Sequence, residues 1–396
     1  MRIAIFSDNF YPEIDGISDS VITLTKNLTK LGHFVNFYVP YYSQADFKKT
    51  GMPRKELDLG KNVSVVRFFS LPYPTGTGQG RLVIPTCLRW LKVKEFAPDV
   101  IHSQLFFGVG FEALIAAHIL KKPLVGTNHT ALKEFLRYSP IRAPWFTNLI
   151  LRYINWYYEH CDLVTAPSQS VFDEMVSLGF ENKNTKVISN PIDTNTFRPL
   201  ADKIGLKKKF GFNDTTIIHA GRLADERNPD ILIRALPLIK KKVPNAILAF
   251  AGIGISEGKL KKLADSLGVG GSVRFLGFLD KPTLAEAYNA SEIFAIASTA
   301  DTQSLVMMQA MAAGLPVIGV RARALPEYVN EKNGFIVEPN DEKAMAEKIV
   351  YLLEHKDVAK KLGKGGRIYS EQFSESAIAT EWEKIYRNVI KSYNEK

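Results

Sequence analysis

Residues 298–327 read Ser298-Thr-Ala-Asp-Thr-Gln-Ser-Leu-Val-Met-Met-Gln-Ala-Met-Ala-Ala-Gly-Leu-Pro-Val-Ile-Gly-Val-Arg-Ala-Arg-Ala-Leu-Pro-Glu327. The apolar run Phe294–Ala297 just before them predicts a short strand, and polar Ser298–Gln303 predicts a loop. Ser304–Ala313 is rich in helix formers and puts Leu305, Met308 and Ala312 on one stripe, so a helix is expected. Gly314 suits the end of that helix, Pro316 stops it, and Val317–Val320 reads as the next buried strand. Strand, helix, strand with short connections is the unit of a parallel sheet. The unpaired N–H groups and positive dipole end at the start of the helix, at Ser304 and Leu305, suit a phosphate. Asp301 lies just before the helix and Gln309 eight residues further on, a little over two turns, so the two can face one side. On spacing alone, Asp301 could equally be an N-cap and Gln309 an ordinary surface residue.

Working outward, the chain has 396 residues, enough for two ordinary domains. Its apolar and charged fractions, 46% and 23%, are those of a soluble globular protein, and no apolar run is long enough to span a bilayer. Met1-Arg-Ile-Ala-Ile-Phe-Ser-Asp8 is too short and too soon polar for a signal peptide and reads as a first strand. Two cysteines, Cys87 and Cys161, make neither a disulfide framework nor a metal cluster and fit a reduced cytoplasm. The net charge of +10 favours an anionic partner, whether nucleic acid, an acidic lipid surface or a phosphorylated substrate, or reflects no more than an excess of surface lysine. The charge is scattered and no nucleic-acid-binding module is recognisable, so no nucleic-acid partner is expected.

In the first half, strands are expected at Arg2–Ser7, Phe34–Val39, Val63–Phe68, near Val100, at Pro123–Thr127, Leu163–Ala166 and Lys186–Ser189. The loop Asp8–Ile17, with Gly16, hands the first strand to a helix from Ser18 to Lys30. It lacks G-x-G-x-x-G, which argues against a dinucleotide site there. Ser70–Gly80 is a Pro/Gly/Thr loop. Arg81–Phe96 reads as one amphipathic basic helix, suited to a membrane interface or else an ordinary surface helix burying Trp90. His129 follows the strand 123–127, at the edge where α/β proteins place chemistry, although a lone histidine is more often structural. Leu132–Tyr158 is rich in aromatic residues and arginines, including Arg137, Arg142, Trp145, Arg152 and Trp156.

Thr194–Gly211 looks like the crossing into a second domain, where Ile217–Ala220 restarts the alternation. Gly221-Arg222-Leu-Ala-Asp-Glu-Arg227-Asn228-Pro229 is a strand-to-helix turn with two arginines five residues apart. Guanidinium groups bind phosphate oxygens bidentately, although two exposed charges would look the same. Gly252-Ile-Gly254-Ile-Ser-Glu-Gly258 follows the strand Ala246–Ala251 and looks like a nucleotide loop, a weak signal by itself. A helix is expected at Asp341–His355 and a long amphipathic one at Phe373–Lys396. Zinc-protease, paired-cysteine, Walker and nucleophile-elbow motifs are all missing from the sequence.

Taken together, Tyr11-Pro-Glu-Ile-Asp-Gly16, His129-Thr130, Gly221-Arg222-Leu223, Gly252-Ile-Gly254, Gly277 and the 298–327 block ending Leu325-Pro326-Glu327 resemble, in order and over nearly the whole chain, a retaining glycosyltransferase of the GT-B fold. The large family concerned includes bacterial lipid mannosyl- and glucosyltransferases. The resemblance implies an α/β architecture of two doubly wound, Rossmann-like domains facing across a cleft. Residues 1–195 would bind the acceptor, with the helix 373–396 packing back on them, and residues 196–372 would bind a nucleotide-sugar donor of the UDP-glucose or GDP-mannose type.

By the same resemblance, Arg222 and Arg227 would hold the diphosphate, with Arg227 standing where lysine is usual. The family's pair of glutamates appears as Asp301, which would grip sugar hydroxyls, and Gln309, which would bond the ribose. The backbone of Ser304 and Leu305 would meet the phosphates, with Gly252 and Gly254 lining the donor. Gly16 would approach the phosphates closely, and His129 would lie near the sugar and acceptor. No metal or other cofactor is obligatory, with Mg2+ at most a stimulant. The acceptor expected is a membrane lipid such as diacylglycerol, reached by a cytoplasmic enzyme peripheral on the inner, anionic membrane face. The alternatives are a soluble or polysaccharide-directed hexosyltransferase acting on a glycan, a weakly active or inactive nucleotide-sugar binding partner, and a sugar-nucleotide epimerase.

Overall fold

The structure, a computed structural model, describes residues 1–13, 15–50, 52–55, 57–73, 80–133 and 143–396. Gly76 and Gly78 of the Pro/Gly loop, and Arg137 and Arg142 of the aromatic segment, lie outside the described residues. The chain divides into two compact units, residues 1–191 with 375–396, and residues 192–374.

The first unit runs β1 (Arg2–Phe6), α1 (Gly16–Lys30), β2 (Phe34–Pro40), α2 (Gln44–Thr50), β3 (Val63–Phe68), β4 (Leu71–Pro72), β5 (Arg81–Leu82), α3 (Trp90–Phe96), β6 (Val100–Ser103), α4 (Gly108–Leu120), β7 (Leu124–Thr127), α5 (Pro144–Glu159), β8 (Leu163–Ala166), α6 (Gln169–Ser177) and β9 (Thr185–Val187). Its main sheet has seven strands in the order β3-β2-β1-β6-β7-β8-β9. Neighbours pair in parallel; Ile3, for example, faces both Val35 and Val100. A parallel sheet covered on both faces needs strands apolar on both sides, and β1 is buried from Ile3 to Phe6. The order reverses between β1 and β6. In doubly wound sheets, ligands bind beyond the carboxyl ends of the strands at such a point.

The second unit continues with α7 (Lys203–Phe210), β10 (Thr216–Ala220), α8 (Pro229–Lys242), β11 (Ile247–Ala251), α9 (Glu257–Ser266), β12 (Val273–Gly277), α10 (Lys281–Asn289), β13 (Ile293–Ala295), α11 (Leu305–Ala312), β14 (Val317–Val320), α12 (Leu325–Tyr328), β15 (Gly334–Val337), α13 (Glu342–Glu354) and α14 (Lys356–Ser370). Its sheet has six strands, ordered β12-β11-β10-β13-β14-β15, all parallel, with the reversal between β10 and β13. Ile217, Leu248, Phe294 and Ile318 from the strands pack with Leu232, Met308 and Ile349 from the helices in one continuous core. The last helix, α15 (Glu375–Asn394), belongs to the first unit and lies against α1.

Residues 81–96 correct the expectation of a single basic helix. Arg81–Leu82 pairs antiparallel with Leu71–Pro72, and only Trp90–Phe96 is helical. Pro85 lacks an N–H and its ring opposes a continuous helix. Cys87 takes a φ of +58°. The fully buried Glu112 carboxylate accepts the backbone N–H groups of Thr86 (2.5 Å) and Cys87 (3.2 Å), holding the segment as a bend. Trp90 packs, half-buried, against the core of the first unit.

Candidate functional site

In the second unit, the loops leaving β10 and β13 bring together most of the residues singled out in its sequence. β10 ends at Ala220, and Gly221 turns the chain with a φ of +130°. A short 3-10 turn, Asp225–Arg227, leads to Asn228, which adopts a φ of +48° in front of Pro229, the first residue of α8. Asn is among the few side chains that accept this left-handed conformation, and proline at the first helical position fixes where the helix begins. The Asn228 amide reaches across the switch point to the Ala297 carbonyl (3.3 Å) and to Thr299 Oγ1 (3.2 Å), tying the β10 loop to the β13 loop.

Across that tie, Arg227 Nη1 donates to Asp301 Oδ1. The Asp301 side chain is 6% exposed and that of Arg227 28%, so the pair is largely removed from solvent. Asp301 is therefore not the cap of α11; Ser304 stands there, with a φ of +66°. Among the described residues no side chain caps α11, and neither the buried Ser304 Oγ nor Asp301 Oδ2 has a hydrogen-bond partner. Arg222 donates to Glu226 Oε1 at 2.8 Å. Leu305 opens α11, and Gln309 is buried on it, in the middle of the helix.

Gly252 and Gly254, two of the three glycines in the 252–258 stretch, are needed for packing. Gly252, at a φ of +152°, would place a Cβ 1.9 Å from the Gly221 carbonyl oxygen, and one on Gly254 would lie 2.1 Å from that of Leu223. The Gly221 N–H donates to Ala251 O (3.0 Å) and the Leu223 N–H to Ile253 O (3.0 Å), so this loop is the backing on which the Arg222 turn rests. Gly258, inside α9, would meet nothing within 4 Å. Behind the sheet edge, His219 Nδ1 donates to the Ala295 carbonyl (3.0 Å), and burial pushes its pKa down to about 4, so the ring is neutral.

Gly16 and His129 belong to the first unit. Gly16 is the exposed first residue of α1, whose N-terminus is capped by Asp15 through the Ser18 N–H (2.7 Å). His129 stands just past the carboxyl end of β7, half-buried, with its pKa pushed down to about 4 by burial. Glu174 accepts the Leu132 N–H (2.9 Å) and the Lys133 N–H (3.3 Å), which fixes the loop that follows. His129 Nε2 lies 2.8 Å from Gln104 Oε1, on the loop after β6. At the same sheet edge, Asp8 accepts the Val109 N–H (2.9 Å) at the start of α4. Burial raises the Asp8 pKa to about 6.

Chemically, the second unit's sheet edge offers two guanidinium groups, an uncapped helix start and a carboxylate paired with one of the guanidiniums. Such a set can hold an anion and accept hydroxyl hydrogen bonds beside it. Sequence reasoning missed Glu226, Asn228 and Gln104. The Asn228-Pro229 pair ahead of an apolar helix was the available signal for the second of these; Glu226 and Gln104 show no pattern until the loops are folded.

Comparison with known proteins adds to this geometry. Residues 202–369 match the family described as Glycosyl transferases group 1, and residues 14–196 match Glycosyltransferase Family 4. The alpha-monoglucosyldiacylglycerol synthase of Acholeplasma laidlawii is 26% identical over 413 aligned residues, spanning 100% of this chain and 99% of that protein. The protein of the same name from Streptococcus pneumoniae is 26% identical, over 84% of this chain and 74% of its own length. Among solved structures, HepE of Anabaena in complex with UDP shares the fold at a TM-score of 0.76 and 22% identity, over 98% of this chain and 100% of that one.

Proposed function

The chain belongs to the glycosyltransferases of GT-B fold, and from that premise we propose that it is a retaining hexosyltransferase, moving glucose from UDP-glucose to the hydroxyl of a diacylglycerol-like lipid. The observation that carries the donor half of this reading is the Arg227–Asp301 pair, on the same sheet edge as the Arg222 turn and the uncapped start of α11. The Acholeplasma relative, an alpha-monoglucosyldiacylglycerol synthase by name, supports the sugar, the acceptor and the stereochemistry. An α-linked product from an α-configured nucleotide sugar is retention.

In this mechanism Arg222, Arg227 and the N–H groups at Ser304 and Leu305 hold the donor diphosphate, and Gln309 bonds the ribose. Gly252 and Gly254 act by supporting the Arg222 turn. The diphosphate competes with Asp301 for Arg227, and the carboxylate thus released turns to the sugar hydroxyls. The bond from the anomeric carbon to the diphosphate breaks first, through an oxocarbenium-like state. The acceptor oxygen then bonds to the face the diphosphate is leaving, and its proton passes to the departing phosphate oxygen. The arginines stabilise the charge that grows on the leaving group, the term that commonly dominates such catalysis. His129, neutral at physiological pH, serves the sugar and acceptor as a hydrogen-bonding group.

The lipid acceptor is supported by one face of α5. Trp145, Leu149, Arg152 and Trp156 follow each other at helical spacing and are all exposed, the first to 66%. Isolated exposed apolar residues are ordinary, but a stripe with two tryptophans and an arginine suits the headgroup region of a bilayer. Among the described residues no helix is long and apolar enough to cross a membrane, and the proposed attachment is peripheral.

The test is a thermal-shift screen of UDP- and GDP-sugars on wild type and Arg222→Ala, followed by transfer of labelled glucose to diacylglycerol in anionic vesicles. Stabilisation by UDP-glucose, lost in the variant, together with an α-linked glucolipid product, is the expected result. Failure of every donor to bind would overturn the reading.

A further inference from the structure

Ser304 stands at the N-cap of α11 but does not act as a cap. A serine in that position ordinarily has extended backbone, and its oxygen accepts an N–H of the first helical turn. The aspartates that cap α1, α7, α10 and α13 do accept one, from Ser18, Gly205, Thr283 and Ala344. Ser304 instead takes a φ of +66° and a ψ of 77°, and its side chain accepts none. Glycine adopts that left-handed conformation without strain, whereas a residue with a Cβ does not. Serine thus stands where its usual duty at a helix start goes unperformed and where glycine would fit the backbone better.

What that backbone leaves over is the hydroxyl. Ser304 is 5% exposed, and its Oγ has no hydrogen-bond partner among the described residues. Asp301, three residues earlier, is equally buried, and its Oδ2 also has none, since the Arg227 bond goes to Oδ1. Two such atoms at one helix start are costly, because each has lost water without gaining a partner. They are complementary in kind: the serine hydroxyl can donate, and the carboxylate oxygen only accepts. A phosphate oxygen would satisfy the hydroxyl but be repelled by the carboxylate. An alcohol both donates and accepts, so the hydroxyls of a sugar can satisfy both atoms. The Arg222 turn lies close by, since a Cβ on Gly221 would sit 3.9 Å from Val306 Cγ2 in the first turn of α11.

We propose that the Ser304 side chain is a specificity-determining group for the donor: its hydroxyl donates to a hydroxyl oxygen of the hexose, while Asp301 Oδ2 accepts from the sugar. This deepens the donor reading given above and rests on it. In the extended conformation of an ordinary cap, the hydroxyl would turn onto the N–H groups of α11 and compete there with the diphosphate. The left-handed backbone withholds it from the helix, so the N–H groups remain for the phosphates and the hydroxyl for the sugar. Both side-chain atoms are buried while Arg227 holds Asp301, and the sugar contacts form once the diphosphate has drawn Arg227 away. Local strain retained at a ligand-binding turn is the expected trade of stability for recognition.

The test is isothermal titration of the full chain, as wild type, Ser304→Ala and Ser304→Gly, with UDP and with UDP-glucose. Alanine keeps the left-handed strain and loses the hydroxyl; glycine loses both. Each variant should bind UDP-glucose about fivefold more weakly than wild type, the worth of one hydrogen bond, and bind UDP within about twofold of it. Ser304→Gly should also melt about 2 °C above wild type, so that its weaker binding cannot be put down to lost structure. Equal weakening of UDP and UDP-glucose overturns the proposal, because the hydroxyl would then serve the phosphates. So does wild-type affinity for UDP-glucose in Ser304→Ala. Both of those results leave the donor reading standing, since wild type still binds. If wild type binds neither ligand, the donor reading fails and this proposal falls with it.

Discussion

Arg227 and Asp301 form an ion pair across the topological switch point of the second sheet, one on the loop that leaves β10 and the other on the loop that leaves β13. The Asn228 amide is a neighbouring tie between the same two loops. The pair is thus part of the scaffold of the candidate site as well as part of its proposed chemistry, and these two duties can be separated. Arg227→Met leaves a nearly buried carboxylate without its cation and should cost about 1–3 kcal/mol of stability. Adding Asp301→Asn removes the stranded charge and should recover most of that loss, since a neutral pair is nearly as good as an ionic one once both are desolvated. Stabilisation by UDP-glucose should return in neither. Urea unfolding of the wild type, both single variants and the double variant measures the coupling.

Gly252 and Gly258 look alike in sequence and should behave oppositely. A methyl group on Gly252 would meet the Gly221 carbonyl oxygen at 1.9 Å, pushing the Arg222 turn off its backing. Gly252→Ala is expected to abolish donor binding and to lower stability by more than about 2 kcal/mol, because its left-handed φ is strained for alanine as well. Gly258→Ala fills open space inside α9 and should stabilise by roughly 0.5–1 kcal/mol with donor binding intact. Thermal melts with and without UDP-glucose read both.

These glycines also mark what could be read from sequence. Alternating apolar runs and helix patterns gave both parallel sheets, because strands buried on two faces read as apolar runs; Val317–Val320 comes out residue for residue. The helix α14 was not visible. It contains Gly363, Gly365 and Gly366, which read as breakers, yet Gly363 lies where a Cβ would sit 2.1 Å from the Gly314 carbonyl oxygen and Gly365 where one would sit 1.8 Å from that of Lys332. Glycine there serves close packing, which no local pattern encodes. The Arg81–Phe96 helix failed for the converse reason: its periodicity was good, but the fold of that segment is decided by Glu112, far along the chain. Arg222, Arg227 and Asp301 were legible as candidate anion- and hydroxyl-binding groups, whereas the pairing of Arg227 with Asp301 was not, since an ion pair between loops depends on the fold that brings them together.

Asp8 gives a pH dependence whose sign can be worked out. Burial pushes its carboxyl up from the ordinary 3.8 to about 6 in the folded protein. Below pH 3.8 it is protonated in both states and contributes no difference. As the pH rises through 6, the unfolded chain has already released its proton and the folded one must follow at a cost, so stability falls over that window by up to about 3 kcal/mol. Asparagine keeps the acceptor for the Val109 N–H and cannot ionise. Asp8→Asn should therefore be more stable than wild type by about 1–3 kcal/mol at pH 7.5, with the advantage shrinking toward pH 4. Urea unfolding at both pH values checks this, and a difference independent of pH would show that the carboxyl ionises normally.

The exposed stripe on α5 makes the membrane claim separable from the donor site. Trp145 and Leu149 are 66% and 56% exposed, and neither is needed by the core of the first unit. Replacing both with serine should leave the melting temperature within a few degrees of wild type, since surface changes seldom exceed about 0.5 kcal/mol. Each side chain buried in the headgroup region adds about 1.5–3 kcal/mol of hydrophobic transfer, so losing two should weaken vesicle binding by at least about tenfold. Arg152, on the same face, ties part of the affinity to anionic lipid, and that part should weaken as salt rises. Flotation with vesicles containing or lacking an acidic lipid measures both effects. The donor-induced thermal shift should be unchanged in the double-serine variant, because the donor residues belong to the other unit. Undiminished flotation of that variant would mean that α5 is not the surface that meets the lipid.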